Sequence, residues 1–286
     1  MRAGAVAYSD DLALALTDAE QAAGAALCCV AAPRSDLAVE LPYTRAALLP
    51  VKTAYLAVSA VEALCASVVA LKGKLMRNAT LAFYAGQYVN LTVPGSTHQR
   101  AYSMANPPES SDGLEFLVRL IDGGAMSEFL RAAPPPGTVI ALKGPYGVFY
   151  RRESLAPLLM VAGGTGLAPM LAMLRQIAIR GTTRQRITLC FGVTGPGDLF
   201  GLDELARLAD LLPGLERRVT LLQPDEAWSG ARGLVTDLIE PADIVAAPDA
   251  YLCGPAADDR GGAGPAARAR QPPARIHAEE FVPSGA

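Results

Sequence analysis

Leu155 to Arg175, LAPLLMVAGGTGLAPMLAMLR, constrains this chain more than any other stretch, because twenty uncharged residues precede its arginine. A run that long can span a bilayer as one helix, or it can be two buried elements joined by a turn. Gly163, Gly164 and Gly166 stand mid-run around Thr165, with Pro169 just beyond. A lipid-exposed helix rarely carries that much backbone freedom at its centre. The residues favour a buried parallel strand over Leu158 to Ala162, apolar without alternation, then a glycine turn, then a helix from about Leu167. Pro169 falls in the first helical turn, where its missing N–H leaves no hydrogen bond unmade. Backbone N–H groups at such a turn, backed by the positive end of a helix, suit a pyrophosphate.

The 286 residues allow two domains and a fragment of a third. A net charge of −3 gives no basic footprint and argues against nucleic acid. Met1 is followed by Arg2, Asp10 and Asp11 with no apolar core between them, so no signal peptide is expected, no membrane span is expected, and the cytoplasm is the expected compartment. The cysteines, Cys28, Cys29, Cys65, Cys190 and Cys253, are odd in number and form no CxxC, which argues against a complete metal site. His98 and His277 are isolated and read as surface residues.

Residues 1 to 45 read as a short β-turn-helix piece, with a capping box at Thr17 and Glu20 and strand-like alternation from Asp36 to Leu41. From Val51 to about Tyr150 come short strands, TAYLAVSAVEAL, SVVALKGKL, QYVNLTVPG, LEFLVRLI and TVIALKGPYG, separated by Gly, Pro, Ser and Asp turns. That spacing predicts a closed antiparallel barrel. Arg100-Ala101-Tyr102-Ser103 follows one of these strands, and Gly123-Gly124-Ala125-Met126-Ser127 opens a short helix. Beyond Leu158 strands LLMVA, RITLCFGV, RRVTLL and DAYLCG alternate with helices beginning near Ala168, Leu202 and Leu234. This order predicts a doubly wound parallel sheet. Gly261 to Arg270 is of low complexity, where a helix would ordinarily stand.

In this order, Arg100-x-Tyr102-Ser103, the Gly-Gly-x-x-Ser turn, Gly144-Pro145-Tyr146-Gly147, Gly163-Gly164-Thr165-Gly166, Cys253-Gly254-Pro255 and Glu279-Glu280-Phe281 resemble the ferredoxin–NADP reductase superfamily over residues 50 to 286. More closely, they resemble the reductase components of bacterial aromatic-ring-hydroxylating dioxygenases of the benzoate, anthranilate and naphthalene type. The resemblance implies a division into residues 1–45, 50–152 and 155–286: a partial β-grasp ferredoxin fragment, an antiparallel β-barrel for FAD and an α/β domain for NAD. It implies that Arg100, Tyr102, Ser103, Val118, Gly123, Gly124, Met126 and Ser127 hold FAD, with Tyr102 under the isoalloxazine, Ser103 at N5 and Arg100 on the pyrophosphate. Gly163, Gly164, Thr165, Gly166, Gly254 and Pro255 would meet the nicotinamide dinucleotide. Cys253 and Glu279 would flank the reacting atoms, and Phe281 would close the other flavin face. Gly144 to Gly147 reads as a structural turn.

The first 45 residues resemble the second half of a plant-type [2Fe–2S] ferredoxin, and Cys29 matches its late cluster ligand. The three early ligands are missing, so the chain is truncated or its start misplaced, and Cys29 is an orphan ligand of an incomplete site. Cys28 reads as a small buried side chain. After the second parallel strand, Gly192 to Asp198 offers no cation for a 2′-phosphate, which favours NADH over NADPH; Arg232 is the residue that could reverse this. The expectation is an NADH-dependent FAD oxidoreductase feeding an iron–sulfur ferredoxin or terminal oxygenase component. A stand-alone ferredoxin or flavin reductase, and an inactive truncated fragment, are the alternatives.

Overall fold

The computed structural model describes residues 3–8, 22, 24–26, 31–41, 48–110, 113–181, 185–255 and 275–281. The chain divides into two compact units, Met1–Leu48 and Leu49–Ala286. In the first, strands β1 (Val6–Ala7) and β2 (Ala32–Pro33) pair antiparallel, and Ala3 bridges Ala38. The strand expected over Asp36 to Leu41 is reduced to that single bridge. All six residues are exposed, so their alternation has no core face to bury. Cys28, Cys29, Thr17 and Glu20 lie outside the described residues, as does Gly261 to Arg270. The ferredoxin-like assignment therefore rests on sequence alone.

The second unit begins with a six-stranded antiparallel sheet: β3 (Lys52–Ala63), β4 (Val68–Leu75), β5 (Tyr88–Thr92), β6 (Gln99–Ser103), β7 (Leu114–Arg119) and β8 (Val139–Tyr146). Their order is β6-β5-β8-β3-β4-β7, and a bridge from Met104 to Phe116 brings the two edges together into a near-barrel. Alternate residues point inward: Ala54, Leu56 and Val58 are buried along β3, and with Leu71, Leu91, Phe116 and Ile140 they fill the interior. Arg100 to Ser103, expected to follow a strand, belong to one. Tyr102 stands opposite Val89 and Ser103 opposite Tyr88. Helix α1 (Ala125–Arg131) packs Met126 and Leu130 into the same interior.

The rest is a parallel sheet of β9 (Leu158–Gly163), β10 (Ile187–Val193), β11 (Leu215–Leu221), β12 (Ala231–Arg232), β13 (Asp249–Pro255) and β14 (Ile276–Phe281), in the order β12-β11-β10-β9-β13-β14. Successive residues of β9 feed two cores. Leu158, Met160 and Ala162 pack with helices α2 (Leu167–Arg180) and α3 (Leu202–Leu211), while Leu159 and Val161 pack with Val235, Leu238 and Ile244 on the other face. Each fully buried side chain of this kind contributes roughly 2 kcal/mol. The long apolar run is thus a strand, a turn and a helix of 14 residues. Among the described residues no helix is long and apolar enough to cross a membrane.

The helix expected from Leu234 is instead a short 3-10 turn, Val235–Leu238, followed by α4 (Pro241–Val245). Pro241 forces Glu240 into an extended conformation, with ψ at 153°, and so breaks the run. One apolar core spans the barrel and the sheet: Val68, Leu117 and Phe149 pack with Met170, Met173 and Ile177 of α2.

Candidate functional site

Gly163 ends β9, and Gly164–Gly166 form a 3-10 turn leading into α2. Gly164 has φ at +52°, and a Cβ placed there would meet nothing within 4 Å. Open space therefore faces the turn. Gly166 has the opposite constraint, because its Cβ would stand 2.1 Å from the Cys253 carbonyl oxygen. Only glycine lets the turn lie directly on β13. A Cβ on Gly254 would likewise stand 3.1 Å from Gly163 Cα, and one on Gly163 would stand 3.3 Å from Pro255 Cδ. Gly163, Gly166, Cys253, Gly254 and Pro255 are thus one surface, with Thr165 half-buried beside it.

β14 completes that surface. Its parallel register sets Glu279 opposite Cys253 and Phe281 opposite Pro255. The Ser103 hydroxyl, at the end of β6 in the barrel, donates to Glu279 Oε1 at 3.2 Å. Burial pushes the Glu279 carboxyl up to about 7, against the pull of that hydrogen bond. Burial, aided by the Glu279 charge, also raises the Cys253 thiol well above its ordinary value. Cys253 is fully buried and stays a neutral thiol near pH 7.

Gly147 lies against the same group. Its φ is +86°, and its Cβ would stand 3.1 Å from the Tyr88 ring and 3.7 Å from Glu279 Oε2. The turn from Gly144 to Gly147 thus abuts the site as well as shaping the chain. Burial, then Glu279 and Tyr146, raise the Tyr88 phenol, whose ring stacks on Tyr146 with centroids 5.7 Å apart. Sequence reasoning did not single out Tyr88. Phe281 is half-buried and packs on the sheet core.

The barrel carries the second cradle. Arg100 and Tyr102 are two apart on β6 and share a face. Arg100 Nη1 donates to the Gln99 carbonyl at 2.9 Å. Burial pushes the Tyr102 phenol up to about 12, with Arg100 pulling the other way. At the start of α1, Gly123 has φ at +72° and open space at its Cβ position. Ser127 is buried, and its Oγ accepts from the Ile121 N–H at 2.9 Å, so its side chain shapes this turn. Val118 and Met126 are buried in the barrel core; their side chains are structural, which leaves their backbone for any ligand.

Other expectations fare differently. His277, read as a surface residue, is half-buried against Tyr251, with ring centroids 4.8 Å apart. Burial, with Arg152 nearby, lowers its basicity. Arg232 is exposed and donates from Nη2 to the Trp228 carbonyl at 3.0 Å. The loop after β10 presents a carboxylate, Asp198, which accepts from the Gly195 N–H at 3.1 Å and from the barrel's Ser67 hydroxyl. Among the described residues no group of three or more His, Cys, Asp or Glu could hold a metal ion.

The donor set fits two dinucleotides: one on Arg100, Tyr102 and the open Gly123 turn, the other on the open Gly164 turn. Where the barrel meets the sheet, Ser103 is hydrogen-bonded to Glu279, which stands opposite Cys253. Residues 55–150 match the oxidoreductase FAD-binding domain and residues 160–257 the oxidoreductase NAD-binding domain. The chain is 40% identical to the toluate 1,2-dioxygenase electron transfer component of Pseudomonas putida over 84% of this chain and 71% of that protein. It is 42% identical to the 2-halobenzoate 1,2-dioxygenase electron transfer component of Burkholderia cepacia over 60% of this chain and 51% of that one. The crystal structure of the Amycolatopsis cytochrome P450 reductase GcoB superposes with a TM-score of 0.75 at 29% identity, covering 99% of this chain and 86% of that one. The chain therefore belongs to the FAD- and NAD-binding oxidoreductases of the ferredoxin–NADP reductase superfamily, among the electron transfer components of oxygenase systems.

Proposed function

We propose that this protein oxidises NADH and passes the electrons, through FAD, to an iron–sulfur ferredoxin or terminal component of a ring-hydroxylating oxygenase. The observation that carries this reading is the Ser103–Glu279 hydrogen bond, which joins the barrel cradle to the sheet cradle beside Cys253. A bound FAD supplies the conversion of a two-electron donor into one-electron deliveries. The chain's own part is positioning. Tyr102 offers a flat surface, Arg100 a guanidinium fork for phosphate, and Ser103 Oγ a hydrogen bond at the meeting point. Phe281 and buried Cys253 keep water from the crevice. Glu279 accepts the Ser103 hydroxyl and, because burial has moved its carboxyl to about 7, can also hold a proton of its own near neutral pH.

Asp198 and the absence of Lys or Arg from Gly192 to Asp198 support NADH over NADPH, since a 2′-phosphate would meet a carboxylate there. The reading takes residues 50–152 as the FAD domain, 155–286 as the NAD domain and 1–45 as a ferredoxin-like segment in which Cys29 matches the late cluster ligand. With NADH as donor, we place the reaction in the cytoplasm. The test is a visible spectrum of the purified protein before and after anaerobic NADH, repeated with NADPH. Flavin bands at about 370 and 450 nm that NADH bleaches much faster than NADPH are expected. A colourless protein, or a yellow one that NADH leaves unbleached, would overturn the reading.

A further inference from the structure

We propose that Arg175 is a positioning residue for electron transfer between the two cradles: from within α2 it fixes the chain just beyond Ser103 against the helix that begins at the Gly164 turn. This rests on the function proposed above. Arg175 is largely buried, and its guanidinium reaches three elements. Nη1 donates to the Ala105 carbonyl at 3.0 Å and to Glu115 Oε2 at 2.7 Å, and Nε donates to Glu204 Oε1 at 2.7 Å. Ala105 lies two residues after Ser103, and its own N–H donates to the Glu115 carbonyl at 2.8 Å. Glu115 thus grips this segment by its backbone and, through Arg175, by its side chain. The far end of α2 makes a second tether to the barrel. Gln176 and Arg180 both donate to Glu109, at 3.0 Å and 2.8 Å, but Glu109 is six residues beyond Ser103 and more exposed.

Apolar packing of α2 against Val68, Leu117 and Phe149 already joins the barrel to the sheet. What Arg175 adds is direction. A planar fork with separate donors can satisfy a carbonyl and two carboxylates at once, which a lysine ammonium on a flexible stem cannot hold in the same geometry. Of the polar contacts that α2 makes with the barrel, Arg175's is therefore nearer the end of β6 than those of Gln176 and Arg180. A displacement of about 1 Å at a reacting centre costs roughly a hundredfold in rate, so a small loosening here is felt in chemistry before it is felt in stability.

The test uses the full-length protein with FAD bound, comparing Arg175→Lys, Arg175→Met and Glu109→Gln with the unaltered chain. Anaerobic stopped-flow reduction gives the limiting rate of flavin reduction and the dissociation constant of NADH. Flavin content, thermal midpoint and the long-wavelength absorbance of NAD+ on the reduced protein are recorded alongside. In both Arg175 variants the limiting rate should fall about 10- to 100-fold and the long-wavelength absorbance should shrink. NADH affinity and flavin content should stay within about twofold, so the loss falls on kcat rather than KM. Glu109→Gln should lower the thermal midpoint yet leave the limiting rate within about twofold. Should Arg175→Met fail to fold, Arg175→Lys, which keeps charge and length, decides the matter. Limiting rates in the Arg175 variants equal to that of the unaltered chain, or an equal slowing in Glu109→Gln, overturn the positioning role alone. An unaltered chain that NADH does not bleach overturns the underlying function as well.

Discussion

Gly123 in the barrel and Gly164 beside the parallel sheet both hold a positive φ and both face open space, yet what stands behind them differs. The Gly164 turn leads into a 14-residue helix with ten buried residues, and Gly166 presses directly on the Cys253 backbone. The Gly123 turn leads into a helix of 7 residues and is held by the Gly124 N–H on the Ile121 carbonyl, at 3.1 Å, and by the Ser127 hydroxyl on the Ile121 N–H. The sheet cradle is set by backbone against backbone, which tolerates no added atom. The barrel cradle adds side-chain support, which can be weakened by degrees.

The strongest way to break this contrast is Gly166→Ala against Gly124→Ala. The first puts a methyl 2.1 Å from a carbonyl oxygen, the second 3.1 Å from the Ile121 carbonyl oxygen and Ser127 Oγ. Gly166→Ala should cost about 3 kcal/mol or more and Gly124→Ala about 1 kcal/mol. Urea unfolding of the two variants checks it; equal losses would erase the distinction.

Glu279 probes the seam between the cradles through pH. Burial raises its carboxyl from 4.5 to about 7, so between those values the folded chain keeps a proton that the unfolded chain has released. Its contribution is therefore intact below pH 4.5 and is lost as pH rises through 7, by roughly 3 kcal/mol in all. Glu279→Gln should remove this slope, making the variant relatively more stable at pH 8 than at pH 5 in paired denaturation curves. A parallel pH dependence in variant and parent would contradict the burial of this carboxyl.

Arg100→Met tests the side-chain character of the barrel cradle. If Arg100 grips the FAD phosphate as proposed, its loss should weaken FAD by about 2 kcal/mol, read as flavin released on dilution, while NADH affinity stays unchanged. The smallest effect is expected for Ser127→Ala, about 1 kcal/mol of stability with partial flavin loss. If Ser127→Ala released flavin as fully as Arg100→Met, the Gly123 turn would matter more than its one side-chain support suggests.

Much of the fold was legible locally. The unbroken apolar run of β9, its glycines and the helix behind them declared a buried strand, a turn and α2. Alternation with turn residues between declared β3, β4, β5, β7 and β8. β6 escaped because its outward positions, Gln99 and Ala101, are exposed and supply no apolar period. β14 escaped because its partner, β13, lies more than twenty residues earlier in the chain and the strand is an edge. The site divides the same way. Ser103, Cys253 and Glu279 each sit in a short motif, but the hydrogen bond from Ser103 to Glu279 spans 176 positions, and no local pattern contains it. Nor could a motif say that Val118 and Met126 turn their side chains into the core.

Within the sheet β14 pairs with β13 alone, and neighbouring glutamates within it meet opposite fates: Glu279 reaches Ser103, whereas Glu280 is exposed. Because a strand's faces alternate strictly, sliding this last strand by one position would swap the two acids and send Phe281 to the wrong side. The pairing with β13 thus decides which acid faces the barrel, and an engineer altering this strand must keep Glu279 opposite Cys253.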